Sequence, residues 1–343
     1  MTPRRLAVKA LIHQEQAGYA NLVLDAELKK CTPPLDSRDA AFAARIFYTT
    51  LERLPLLDYR INQFTKKPVA KLDAPVRAVL RAGLAQALYM NVPLPAAVNE
   101  SVKLTRALGK SSAAGMVNAV LRRAAAADVS EADFADPLDR LSIYYCLSRP
   151  VAELFYAQFG EEAFPLAAAF YEKPKTTIRV NTLRTNDTAL TALLQQAFDR
   201  CGITCAVAVE NDATQHNSDW PTFDRVLCDV PCSGLGVIAK KPDIRYKDLD
   251  GIENLLAAQQ KILQNGADSL AENGRLVYST CTVNDKENQA QVEKFLSANP
   301  DFHVVLPKTA LPGADITPLG TLFLPHRTGT DGFFAAILER NRL

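Results

Sequence analysis

The sequence predicts two unlike halves, an all-helical bundle in front and an α/β domain behind. Three observations predict this. Apolar residues recur at helical spacing over residues 4–125. After about residue 200, short apolar runs alternate with helical patterns, as strands joined by helices do. Two of those runs end on a cysteine. Phe223–Val230 breaks at Pro231-Cys232-Ser233-Gly234, and Gly274–Ser279 breaks at Thr280-Cys281-Thr282.

The front half is built from stripes such as Leu6-Ala7-Ala10-Leu11, Ala40-Phe42-Ala43-Ile46-Phe47 and Val76-Val79-Leu80-Leu84-Ala87-Leu88. Pro33-Pro34, Lys66-Lys67-Pro68 and Val92-Pro93-Leu94-Pro95 interrupt them, which gives six or seven helices. Residues 124–139, rich in Ala, Asp and Glu, read as a linker. Pro150 opens a helix that runs to Phe159. Lys175–Asn181 and Cys205–Val209 read as short strands. The first cysteine strand follows, then a long helix from about Leu249 to Leu270, then the second cysteine strand. Asn284 or Asp285 caps a helix that ends at Ala298. Leu322–Leu324 and Gly332–Leu338 read as late, antiparallel strands on a mostly parallel sheet.

Composition narrows the function. Hydrophobic content of 48% and charged content of 22% fit a soluble globular protein. No apolar run is long enough to span a bilayer, and the N-terminus reads as a helix start. Seven scattered cysteines favour reduced thiols and a cytoplasmic setting. Cys201-x-x-x-Cys205 and Cys228-x-x-x-Cys232 are rejected as zinc ligands, because Cys228 sits inside a strand pattern and no histidine pair is near. No metal is expected. The net charge of +1 hides an asymmetry. Residues 1–123 carry 19 Lys and Arg against 9 Asp and Glu, and the remainder 20 against 29. A basic half joined to an acidic half points to a polyanionic partner at the front.

The chemistry follows from the two thiols. In an α/β sheet, ligands sit at the carboxyl ends of strands. Gly234-Leu235-Gly236-Val237-Ile238-Ala239 imitates a dinucleotide-binding loop, but Lys240-Lys241-Pro242-Asp243 is a poor helix start behind it. A thiolate can add to C6 of a pyrimidine, which makes C5 enamine-like and able to accept a methyl group. A second group must then take the C5 proton so that the first sulfur can leave. Asp229 is placed to hold the base.

These residues resemble the Sun-type RNA (cytosine-5) methyltransferases, and the resemblance covers nearly the whole chain. Asp229-Val230-Pro231-Cys232-Ser233-Gly234, Lys241-Pro242-Asp243-Ile244-Arg245-Tyr246, Tyr278-Ser279-Thr280-Cys281-Thr282 with Glu287-Asn288, and Thr330-Asp331-Gly332-Phe333-Phe334 occur in the family's order. Ala97–Val102 and Val117–Arg123 resemble pieces of a NusB-type RNA-binding bundle. The resemblance implies a NusB-like domain over residues 1–125, a linker over 126–138, a truncated pre-catalytic subdomain over 139–197, and a Rossmann-like methyltransferase domain over 198–343. It implies S-adenosylmethionine as cofactor and small-subunit (16S) ribosomal RNA as substrate, with the chain a monomer. Cys281 is implied as the nucleophile and Cys232 as the group that assists release. Asp212 and Asp229 are implied at the cofactor and cytosine site, and Lys241 and Arg245 near the RNA.

One departure stands out. The family carries a glycine-rich cofactor loop after the first strand of its catalytic sheet. Here only Gly160 and Gly202 lie between Val151 and Val230. The expectation is an internal deletion joining near Gln195 to Phe198, at least one βαβ unit or roughly 30 residues. The catalytic domain would lack its first strands. Two readings remain: an RNA (cytosine-5) methyltransferase, and a non-catalytic RNA-binding protein that has lost its cofactor loop. A thiol–disulfide oxidoreductase is disfavoured by the absence of C-x-x-C.

Overall fold

The computed structural model describes residues 1–15, 19–172, 209–309 and 311–341, with isolated residues between 192 and 207. Its compact units are residues 1–171 with 238–250, and residues 172–237 with 251–343. The expected strands at 175–181 and 205–209, and the junction at 195–198, lie largely outside the described residues.

The first unit holds seven α-helices over the described part of residues 1–126: α1 Pro3–Gln14, α2 Ala20–Lys29, α3 Ser37–Glu52, α4 Leu54–Asn62, α5 Ala74–Tyr89, α6 Leu94–Ala107 and α7 Ala114–Ala126. The apolar stripes read from the sequence face one core, in which Leu6, Ile46, Phe47, Leu57, Ile61, Leu80 and Leu84 are buried. Polar caps stop fraying: Asp36 accepts the amide of Asp39 at 2.7 Å at the head of α3. Arg81 makes a bidentate pair with Asp58 and a further bond to Glu15 at 2.6 Å, tying α5 to α4 and α1. Helix α8, Arg149–Phe159, starts one residue before Pro150, with Ser148 as its cap. Helix α9 is Ala163–Ala169.

Residues 238–250 pack within this first unit. Arg245 is fully buried there. Its guanidinium donates to the carbonyls of Phe170 at 2.8 Å and Tyr145 at 3.3 Å, and stacks on the Tyr171 ring. The Ser148 amide donates to the Arg245 carbonyl at 2.7 Å, and the Tyr246 hydroxyl reaches the Leu51 carbonyl. Arg245 therefore staples this segment to the bundle. Its expected place at an RNA surface is corrected: every side-chain contact it makes points inward.

The second unit is a mixed sheet covered on one face. Strand β1, Phe223–Asp229, pairs in parallel with β2, Leu270–Thr280, through the crossover helix α10, Ile252–Asp268. Helix α11, Gln289–Ala298, follows, and strands β3 Phe302–Val304, β4 Asp315–Thr317, β5 Gly320–Phe323 and β6 Phe333–Arg340 complete the sheet. The order is β1-β2-β6-β5-β4, with β3 also on β6. Among the described residues only the β1–β2 pairing is parallel, and the described sheet is mixed. The tight connection between β4 and β5, from Thr317 to Gly320, is a hairpin, which joins antiparallel strands.

Helix α10 packs on the face of β1 that carries Val226 and Cys228. A Cβ on Gly266 would stand 2.6 Å from the Cys228 sulfur, so only glycine fits that crossing. The other face carries Phe223, Arg225 and Leu227, and Leu227 is 69% exposed. Among the described residues β1 is the edge of the sheet. An edge strand with an exposed apolar side chain is open to further pairing.

Candidate active site

The parallel register places Asp229 opposite Ser279, so both strands end level. The Pro231-Cys232-Ser233 and Thr280-Cys281-Thr282 turns therefore leave the sheet side by side. The Cys232 and Cys281 sulfurs stand 3.2 Å apart. Both side chains are half-buried and in the reduced form. The Ser279 hydroxyl donates to Asp229 at 3.1 Å, which fixes that carboxylate at the mouth of β1.

The surroundings of Cys232 hold its proton. The hydrogen bond with Cys281 is the largest cause, followed by burial and by the charges of Cys281 and Glu287; together they push the thiol far above its ordinary range. The amide of Gly234 opposes them. Cys228 is separate from this chemistry: it is buried inside β1, and burial alone pushes it up to about 11.

A buried polar network locks the two turns together. Glu287 sits at the end of a short helical turn over residues 285–287 and is fully buried. Its carboxylate accepts the Ser233 amide at 2.7 Å, the Ser233 hydroxyl at 2.5 Å, Asn284 Nδ2 at 3.0 Å and Gln259 Nε2 at 3.1 Å. The Tyr278 hydroxyl donates to the Glu287 carbonyl at 2.6 Å. The Ser233 and Thr282 hydroxyls share a bond of 2.8 Å. Thr280 donates to Asn288 at 2.6 Å, and Asn288 donates back to the Thr282 carbonyl at 3.0 Å.

The structure thus brings together Cys232, Cys281 and Asp229. Asp212 lies on an exposed loop, where it accepts the Thr214 amide and hydroxyl at 2.9 and 2.7 Å. Lys241 is exposed and Arg245 is buried. Sequence reasoning missed the roles of Glu287, Ser233 and Gln259. Gln259 could have been found: it shares the buried stripe of α10 with Leu263 and Gly266, where an apolar residue is expected.

A cofactor with a nucleoside and an amino-acid end needs a pocket between adjoining strand ends. The described residues offer Asp229 there, but β1 has no parallel neighbour on its outer side among them. They do not form a cradle for S-adenosylmethionine.

A helical bundle stands before a mixed α/β sheet with paired thiols at adjoining strand ends, and the methyltransferase class of this arrangement comes from its family matches. Residues 173–339 match the 16S rRNA methyltransferase RsmB/F family, and residues 1–126 match the NusB family. The back part of the chain thus matches the RsmB/F family, and the front part matches the NusB family. Relatives include the probable ribosomal RNA small subunit methyltransferase B of Bacillus subtilis (strain 168), 27% identical and covering 98% of both chains. The ribosomal RNA small subunit methyltransferase B of Thermus thermophilus is 28% identical over 99% of this chain and 98% of its own. The solved structure of PH0851 superposes with a TM-score of 0.67 at 17% identity, over 99% of both chains, which supports the fold alone. The comparison with the Bacillus protein runs over 442 positions, against 343 residues here. At least 99 of those positions (442 less 343) have no counterpart in this chain.

Proposed function

We propose that this chain carries the RNA-binding and base-activating parts of a small-subunit ribosomal RNA cytosine-5 methyltransferase. The observation that carries the reading is the 3.2 Å approach of two thiols at the ends of adjoining parallel strands. The surroundings of Cys232 favour its protonated form, and the family resemblance gives the attacking role to the other sulfur, 3.2 Å away. Cys281 is then the nucleophile. Its lone pair forms a bond to cytosine C6, and the electron pair that moves to C5 takes the proton of the Cys232 thiol. Once the Cys281 sulfur is bonded to carbon it carries no charge. The largest cause that kept the proton on Cys232 is removed at that moment. Cys232, left as a thiolate once its proton is on C5, then takes the original hydron from C5 and exchanges it with water. The C6–S bond breaks and Cys281 leaves as a thiolate. Asp229, held by Ser279, would face the base. Lys241 and the basic helical domain would hold the phosphates.

The uncovered β1 edge favours a second reading, a non-catalytic RNA-binding protein. One experiment separates the two without any cofactor. Small-subunit ribosomal RNA carrying tritium at cytosine C5 is incubated with the purified chain, and tritium released to water is counted. Release that disappears in Cys281→Ala and slows in Cys232→Ala is expected. No release, alongside salt-dependent RNA binding, would establish the second reading. Methyl transfer from S-adenosylmethionine by the isolated chain is expected to be weak or absent.

A further inference from the structure

We infer that Glu287 is a positioning residue of the thiol pair: its carboxylate fixes the Cys232 turn against the Cys281 turn and so sets which sulfur reacts. The inference rests on the two-thiol reading above.

Four donors from three separate elements converge on this one side chain. Ser233 comes from the turn after β1, Gln259 from α10 and Asn284 from the turn after β2. None of the four is a lysine or arginine. A buried carboxylate held by neutral donors is an expensive way to stabilise a fold, since an apolar group of similar volume often serves as well. Its geometric effect is specific. Ser233 adjoins Cys232, and both donors of Ser233, amide and hydroxyl, end on Glu287. Gln259 also donates to the Pro231 carbonyl at 2.9 Å, so Cys232 is gripped on both flanks. The second turn is bound to the same anchor through Asn284 and through the Ser233–Thr282 contact. The position of Cys232 relative to Cys281 is therefore set at Glu287.

The charge of Glu287 acts in the same direction as its geometry. It is one of the groups that keep the proton on Cys232. The titratable groups facing that sulfur are Cys281, Glu287 and Tyr278, whose phenol burial pushes up. Glu287→Gln keeps the volume and one accepting oxygen but removes the charge.

The test reads thiol reactivity in the full chain, with no RNA or cofactor present. Iodoacetamide alkylation of Cys281 and Cys232 is followed by peptide mass spectrometry from pH 6 to pH 11. In the wild-type chain Cys281 should react first, and Cys232 only at a pH above that of an ordinary thiol. In Glu287→Gln the preference for Cys281 should fall by about tenfold and the Cys232 midpoint should move down by about one pH unit. A folded Glu287→Gln chain with an unchanged preference and midpoint would overturn the inference. Should that variant fail to fold, Ser233→Ala decides: it removes one of the two Ser233 anchors, and a shift in the same direction supports the role while an unchanged profile refutes it. A chain that fails to exchange cytosine C5 hydrogens still reports on Glu287 in this assay, so the two readings fail separately.

Discussion

Gly236 and Gly332 meet backbone to backbone: the Gly332 amide donates to the Gly236 carbonyl at 2.8 Å. A Cβ on Gly236 would stand 2.0 Å from the Gly332 oxygen and 2.5 Å from its carbonyl carbon. The Gly236 amide in turn donates to the Cys281 carbonyl at 3.0 Å. Two distant motifs, Pro-Cys-Ser-Gly and Thr-Asp-Gly-Phe-Phe, are thus joined at the point that supports Cys281. Backbone lies on both sides of the contact, so neither side can yield as a flexible side chain would. Gly236→Ala is expected to lower stability by about 1–3 kcal/mol, the usual cost of overpacking. Release of C5 tritium should fall by more than stability alone explains, because the turn holding Cys232 is pushed from Cys281. Urea unfolding and the exchange assay, run on the same preparation, check both.

How much of this was legible in the sequence depends on the distance over which each residue finds its partner. The seven helices of the bundle were readable because periodicity is local. The cysteine turns were readable because each apolar run ends on its thiol. Strands β3 and β4 were not, since three residues are too few to show an alternation. Glu287 takes its meaning from Ser233, 54 residues earlier, and no local pattern marks a buried acid. The absent glycine turn was visible as composition. The exposure of Leu227 on β1, the edge strand among the described residues, needed the strand order.

Arg245 was misread for the same reason. The family resemblance of Lys241-Pro242-Asp243-Ile244-Arg245 implied a place near the RNA. Its acceptors lie 75 and 100 residues earlier in the chain. Arg245→Met should cost about 2–4 kcal/mol by leaving buried carbonyls unpaired. A phosphate contact, by contrast, would show in the salt dependence of RNA binding as a slope smaller by about 1. The expected result is a lower melting temperature with an unchanged salt slope, measured below the melting transition. A reduced slope in a fully folded variant would return Arg245 to the RNA surface.

Cys228 gives a prediction about alkaline stability. Burial beneath α10 lifts its thiol from the ordinary 9.0 to about 11. The folded value lies above the unfolded one, so the folded state binds the proton more tightly. The stabilisation is fully present below about pH 9 and is lost as pH rises through 11. Two pH units correspond to about 3 kcal/mol. Cys228→Ala removes that titration. It also removes a sulfur beside Gly266 from the buried cluster that holds Leu276, with Val226 packed against it, and so should be less stable than wild type by roughly 1–2 kcal/mol at pH 8. By pH 11 the order should reverse or the gap should close, because the wild-type chain must by then carry or lose a proton inside the sheet. Cys232 and Tyr278 are retained in both proteins, so their own alkaline losses cancel in the difference. Urea unfolding of the two chains at pH 8 and pH 11 measures it directly. Parallel curves, with the same gap at both values, would mean that the Cys228 sulfur reaches water and that α10 does not seal this face of β1.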